Sequence, residues 1–477
     1  MATGISARRG GWESYFKIRE RGTTVRTELI AGLTTFMTMA YILFVNPNIL
    51  TALPDSTGTQ LDRAAVLTVT ALAAGVSCLA MGLFANYPFA IAAGLGLNAV
   101  VAFELVGARQ LSWEEAMGVV VVEGIVILVL VLTKFRQAVM EAVPLPLKHA
   151  IAVGIGLFIA IIGFVDGGFV TSPDTAPPRG AGPALQLGTN TKLQGWPVFI
   201  FIIGLLFIIF LYTRRVRGAL LIGILATTVL AIVVNEAFLD GQGFGDQAQY
   251  GGVADIPDGD NFELIGNFSL GFFGALGALT AILVVFSIML SDFFDTMGTA
   301  VGLAGEANLL TPEGRIPDVD RVLLVDSAAA AVGGSVSASS NTTYIESASG
   351  IAEGGRTGLT AVVVGVLFLL SVFFAPLAEI IPLQATAPAL VVVGFLMMTQ
   401  VRRVPWDDFE LSIPAFLTMV VMPYTYSITN GIGAGFISYV FIKLVRGKGG
   451  EVHPMMYIAA AAFLIYFGIV YVEDWLT

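Results

Sequence analysis

A few polar side chains stand where nearly every neighbour is apolar. Asp292 and Asp295 lie three residues apart in LSDFFDTMGT, so a helix places them on one face. Glu346 sits near the middle of SSNTTYIESASGIAEG, residues 339–354, otherwise a run of small and hydroxylated residues. Asn98 is central in NYPFAIAAGLGLNAVVAFE, residues 86–104, which Pro88, Gly94 and Gly96 interrupt. Ionised carboxylates only accept hydrogen bonds, whereas a carboxamide both donates and accepts. Such a set suits a planar heterocycle carrying both N–H and C=O groups. A carboxylate kept from water is also costly while charged, and protonation relieves that cost. Asp295 and Glu346 are therefore candidates for carrying a coupling proton. Asp292 reads either as a further proton acceptor or as a structural partner.

The rest of the chain must hold these residues in a membrane. Of 477 residues, 56% are hydrophobic and only 12% charged, with a mean hydropathy of +0.84. A soluble domain carries about 25% charged residues. A single cysteine, Cys78, excludes an internal disulfide and cysteine-based metal centres, and His149 and His453 are too few for a histidine site. Neither metal nor cofactor is expected. A net charge of −11 argues against nucleic acid. The first apolar run, after Glu28, continues far beyond a signal-peptide core, so no cleavable signal is expected.

The tail, residues 1–27, carries Arg8, Arg9, Lys17, Arg19, Arg21 and Arg26, which places it in the cytoplasm. Span one runs from about Ile30 to Leu50 and span two from Ala64 to Phe84. Residues 86–104 read as an extended piece followed by a half-helix. Span four runs from Met117 to Leu132, and span five from near Pro146 to just before Asp166. Spans six and seven flank Arg214, Arg215 and Arg217. An acidic loop, residues 239–269, is assigned outside and divides the chain into a first repeat, 28–238, and a second, 270–477. Span eight, Phe272 to Gly302, holds the paired aspartates. Span nine, Val322 to Val332, is short, and residues 339–354 follow it. Spans eleven and twelve are Leu359 to Phe374 and Pro388 to Gln400. Residues 404–446 read as one broken span or two, and Met456 to Val470 is the last. The count is 14 or 15; 14 is preferred, although Lys443, Arg446 and Lys448 then sit against the sign rule.

Laying Pro88–Glu104 over Val336–Ala352 puts Asn98 on Glu346. In each, a strand-like run (FAIAAG, SASSNT) leads into a half-helix. Paired interrupted segments of this kind point to the binding site of an inverted-repeat transporter. Two half-helix N-termini would turn unsatisfied N–H groups toward the midplane. Small residues around them, Gly94, Gly96, Gly298, Ala348 and Gly350, are expected to let the substrate helices pack as one rigid body.

The stretches GLTTFMTMAYILFVNP, AAGLGLNA, SDFFDTMGTAVGLAGEA and SSNTTYIESASGIAEGGRTGLTAVVVG resemble the AzgA-like purine (adenine/guanine/hypoxanthine) permeases of the nucleobase–cation symporter-2, or nucleobase–ascorbate transporter, family. The resemblance covers nearly the whole chain. It implies an all-α polytopic membrane fold of 14 segments in two inverted repeats of seven, with short strand plus half-helix segments at positions 3 and 10. It implies a core domain (spans 1–4 and 8–11) that carries substrate and a gate domain (spans 5–7 and 12–14) that supports homodimers. It further implies proton-coupled import of hypoxanthine, guanine or adenine across the cytoplasmic membrane by an elevator-like movement. Carried over by position, the span-eight acid falls on Asp295, the span-ten glutamate on Glu346 and the span-three asparagine on Asn98, with Tyr344 near the base. Thr343 and Phe294 complete the expected substrate set, Phe294 and Phe44 as stacking rings. Thr342, Thr343 and Ser347 also read as satisfying half-helix ends. Uracil and xanthine carriers have Glu where this chain has Asp295, and the shorter side chain fits the purine branch.

Two other readings compete. An anion exchanger or channel of the same architecture would avoid carboxylates and add a basic residue, whereas the site segments offer Asp295 and Glu346 and no Lys or Arg. A membrane-embedded enzyme would need a nucleophile–base pair or a metal cluster, and neither is apparent. Glu123, inside span four, reads as a buried structural acid.

Overall fold

The structure is a computed structural model describing residues 11–133, 142–172, 185–189, 191–248, 252, 254–311 and 316–468; the side chains of residues 245, 246, 294 and 298 lie outside the description. Apolar runs in lipid must close their backbone hydrogen bonds internally, and helices do so within one segment. Among the described residues nine helices are long and apolar enough to cross a membrane, and shorter apolar helices occur at Leu95–Ala108, Gly358–Phe374, Phe409–Thr425 and Pro454–Phe467.

Span one is α1 (Val25–Met39) and α2 (Ile42–Leu50), broken at Ala40–Tyr41, with the Thr24 side chain capping the start. Next is α3 (Arg63–Ala80), capped by Asp62, and its continuation to Ala85. Strand β1 (Ile91–Ala93) leads into α4 (Leu95–Ala99), which winds on more widely to Ala108. Helix α5 (Trp113–Leu132) opens with a Ser112–Glu115 capping box. Three helices follow: α6 (Leu145–Asp166), α7 (Trp196–Thr213) and α8 (Ala219–Phe238). The second half repeats the scheme with α9 (Ala278–Glu306), α10 (Val319–Ser335), strand β2 (Asn341–Thr343), α11 (Ser347–Ala352) and α12 (Gly358–Ser371). It ends with α13 (Leu383–Met398), α14 (Phe409–Thr425) and α15 (Ile428–Val445). The stretch left open between one span and two is thus two helices.

That hairpin also settles the sign of the charges. Lys443, at the end of α15, lies 2.7 Å from Glu410, at the start of α14, and Arg446 and Lys448 lie 3.0 and 2.5 Å from it. The basic cluster therefore returns to the end that carries Arg402 and Arg403, as a positive-inside distribution requires. A further helix, α16 (Pro454–Phe467), adds one helix beyond the seven-plus-seven scheme. Its 14 residues rise about 21 Å, less than the ~30 Å hydrocarbon layer.

The interrupted segments meet as a two-stranded antiparallel ribbon, with Ile91 opposite Thr343, Ala92 opposite Thr342 and Ala93 opposite Asn341. Gly94 N–H donates to Ser340 O at 2.8 Å and Tyr344 N–H to Ala90 O at 2.9 Å, extending the ladder. Each strand thereby supplies the partners that the other's non-helical backbone lacks at membrane depth. Antiparallel pairing means that the two segments run in opposite senses, as inverted repeats must. The sequence overlay was out of register, however: it lays β1 on residues 339–341 whereas β2 is Asn341–Thr343, and Asn98 lies within α4 whereas Glu346 stands before α11.

Helix pairs cross where glycines touch. A Cβ on Gly156 of α6 would stand 2.7 Å from Gly394 O on α13, and one on Gly394 would stand 2.4 Å from Gly156 O. Gly75 and Gly365 make the same reciprocal contact between α3 and α12. Gly394→Val should therefore destabilise by about 1–3 kcal/mol, since neither backbone can yield without separating the helices. Thermal unfolding in detergent reads this directly, with Gly450→Ala, which meets nothing within 4 Å, as the neutral control. Not all the small residues bind substrate helices to one another. Gly350 packs on α1, against Ala31 O and Thr35, whereas Gly96 faces Ile155 of α6. Gly298 falls among the positions whose surroundings are not described.

Candidate functional site

Strand β2 is tied on several sides by hydroxyl groups. Thr343 Oγ1 donates to Asp326 Oδ1 and Thr296 Oγ1 to Asp326 Oδ2, each at 2.7 Å, and the Thr296 and Thr342 hydroxyls are 2.7 Å apart. Asn341 Nδ2 donates to Ser77 Oγ at 3.4 Å. Ser347 Oγ accepts from Ala90 N–H at 2.9 Å, and the Tyr344 hydroxyl donates to Ala93 O. Thr342, Thr343 and Ser347 thus join the ribbon to its neighbours rather than capping half-helices. The O–H donors of Thr343 and Tyr344 are already engaged inside the protein.

Three predicted residues keep unused capacity. Asp295, on α9, is half-buried, and its carboxylate accepts no hydrogen bond from a described residue. Glu346, at the entrance to α11, is half-buried, and its Oε1 accepts the Tyr41 hydroxyl at 2.7 Å. Helix α9, which carries Asp295, packs against α11, which Glu346 immediately precedes, and Tyr344 lies two residues before Glu346. Asn98 is fully buried in α4, and neither its oxygen nor its nitrogen has a partner. Leaving such a group unpaired costs about 1–3 kcal/mol, which a bound polar molecule would recover. Phe294 belongs to α9, but its side chain lies outside the described set. Phe44 is buried among core hydrophobic residues.

Asp292 stands apart from this group. It is buried on α9 beside Glu123 of α5, and Ser340 Oγ lies 3.5 Å from Glu123 Oε2 and from Asp292 Oδ2. The second oxygen of each acid is buried and receives no N–H or alcohol O–H from a described residue, which leaves the two carboxyl groups facing one another. Among the described residues no Lys or Arg pairs with Asp295, Glu346, Asp292, Glu123 or Asp326.

Two residues escaped the sequence reading. Tyr41 sits at the break in span one, and a buried tyrosine hydroxyl needs a partner, so its place in MAYILF was the available signal. Asp326 lies in the Ala-rich run VDSAAAAV, where an acid at membrane depth is by default a functional candidate.

The arrangement has relatives. The adenine permease AdeQ of Escherichia coli is 42% identical over 97% of this chain and 97% of its own length. The guanine/hypoxanthine permease PbuG of Bacillus subtilis is 39% identical over 95% of this chain and 99% of its own. Among solved structures, the transmembrane domain of the cyanobacterial bicarbonate transporter BicA superposes with a TM-score of 0.57 at 15% identity, covering 87% of this chain and 97% of that one. Murine Slc26a9, an anion transporter in the inward-facing state, gives 0.63 at 10% identity, covering 94% and 74%. At these identities the structures show a shared fold alone. Residues 26–433 match the profile described as a permease family, and with whole-length relatives near 40% identity the chain belongs to that family of integral membrane transporters, the nucleobase–cation symporter-2 family.

Proposed function

We propose that this protein is a proton-coupled symporter importing purine nucleobases, with the base held between Asp295, Glu346 and Asn98. The observation that carries the reading is the unused capacity of that set: a carboxylate without a donor, a second carboxylate with one, and a buried amide with no partner. A purine ring presents ring N–H groups to the acids, and its acceptors suit the Asn98 amide. The names of the relatives, adenine permease and guanine/hypoxanthine permease, support the same substrate class. The fold is shared with anion transporters, but an acceptor-rich site without a cation suits a neutral base better than an anion.

Transport needs this site to face each side in turn. In our reading the substrate ribbon travels with α1–α5 and α9–α12 against a gate of α6–α8 and α13–α15, whose outer face would serve homodimers. Contacts at both ends join these two groups of helices. At one end Arg217 pairs with Glu353. At the other, Ile428 N–H donates to Glu104 Oε2 at 3.0 Å. Each contact would have to break and re-form in every cycle.

Expression in cells lacking purine uptake tests the substrate. Labelled hypoxanthine should accumulate, unlabelled adenine or guanine should compete, and bicarbonate should not. Failure of every purine to compete would reject the assignment. Accumulation should collapse with a protonophore and persist when sodium is replaced. The opposite pattern would make sodium the coupling ion.

Tyr41→Phe removes the one hydroxyl that, among the described residues, donates to the Glu346 carboxylate, at almost constant volume. Affinity for the transported base should fall by about tenfold, the lower end for a hydrogen bond to a charged group. Binding of labelled base to purified protein checks this, and an unchanged affinity would leave Tyr41 a packing residue.

A further inference from the structure

Away from the site, a groove of about 350 Å³ opens between α3 with its continuation, α5 and α10. Val76, Ala80 and Phe84 line it from α3 and its continuation, Ala328 and Val332 from α10, and Leu128 from α5. The lining is hydrocarbon almost throughout, with Ser77 the polar exception. Water would find too few partners there. In a bilayer the available occupant of matching chemistry is an acyl chain.

One end of the groove carries a cation. Arg321 is exposed, and its guanidinium carbon lies 5.9 Å from the centre of the Phe84 ring that lines the groove. It precedes Leu324, another lining residue, by one helical turn. Arg21 also lies near this end, but it donates to Asn86 O and Arg356 O and is engaged within the protein. Asp318 and Asp320 flank Arg321 in the chain, and the ring beneath its guanidinium is that of Phe84, on the groove side. An exposed guanidinium beside an apolar groove fits the two parts of one molecule, headgroup and tail.

The groove is also joined to the substrate ribbon. Ser77, in its lining, accepts the amide of Asn341 in β2. Val325, on its wall, precedes Asp326, which accepts the Thr343 and Thr296 hydroxyls. We infer that the groove holds one acyl chain of an anionic phospholipid whose phosphate is bound by Arg321, and that this lipid braces the α3–α10 pair that anchors β2.

The test uses the full chain purified in detergent, with phosphatidylglycerol or phosphatidylcholine added in mixed micelles. Native mass spectrometry counts retained lipid, and thermal unfolding reports stabilisation by a ligand that binds the folded state. Phosphatidylglycerol should be retained in preference to phosphatidylcholine, whose quaternary ammonium offsets its phosphate, and should raise Tm by a few degrees more. Arg321→Ala should remove the headgroup preference, and Ala328→Phe, which fills the groove, should prevent retention. Should Ala328→Phe fail to fold, Ala328→Leu takes its place. Equal effects of the two lipids on the unaltered protein would overturn the headgroup assignment. Full retention by the groove-filled variant would overturn the acyl assignment. Stabilisation reproduced by glycerol phosphate alone would reduce the site to an anion contact and reject the lipid.

Discussion

Glu346→Gln should weaken binding of the transported purine by about 10- to 150-fold, the equivalent of about 1.5–3 kcal/mol for a hydrogen bond to a charged group. The amide oxygen can still accept the Tyr41 hydroxyl, which Glu346 now takes at 2.7 Å. What changes is the face presented to the ligand, where a second acceptor becomes an N–H donor. A purine N–H directed at that position would then meet another donor. Binding to purified protein separates this loss from any effect on the transport cycle. If Glu346→Gln is folded and inserted but binds with unchanged affinity, the residue is structural, and Asp295 with Asn98 must carry recognition.

A disulfide between residues 96 and 155 should stop transport almost completely. A Cβ at Gly96 would lie 3.9 Å from Ile155 Cβ, within the 3.5–4.5 Å range of natural disulfides. In the proposed movement Gly96 belongs to the travelling body and Ile155 to the gate, so the link would fix one body to the other. A bond between residues 93 and 341, which face each other in the ribbon, lies wholly within the travelling body and should be tolerated. Both pairs are built on Cys78→Ala, because the native thiol is buried beside β1. Reductant should restore uptake in the first pair. Full turnover with residues 96 and 155 linked would refute relative motion of the two bodies.

How much of this could be read from the chain depends on the range of the interaction. Apolar runs showed the helices, because lipid leaves the backbone one economical way to close its bonds. The interrupted segments showed themselves by composition, and with them the candidates Glu346 and Asn98, while Asp295 showed itself as an acid inside an apolar run. Register did not show, because the residues between β1 and β2 share almost no identity and only hydrogen bonding fixes which ones face each other. Tyr41 and Asp326 were hidden for a related reason. Each acts on a residue far along the chain, Tyr41 on Glu346 and Asp326 on Thr296 and Thr343. The basic cluster around Lys443 conflicted with the sign rule only while α14 and α15 were not resolved as two helices. The helix α16 could be seen as an apolar run, but its brevity and its position outside the repeats could not.

The ribbon has a consequence for how the protein is made. Tyr344 bonds to Ala93 across 251 residues of chain. At a synthesis rate of about 5–20 residues per second, β1 waits roughly 10–50 s before β2 emerges. During that interval its N–H and C=O groups lie in or near the bilayer without their final partners. The nascent first half must therefore be sheltered, by the insertion machinery or by temporary docking on its own helices, until the second half arrives. Slow translation between the halves would lengthen that exposure. Codon choice in the loop that divides them should then affect the yield of folded protein without changing any residue of the site.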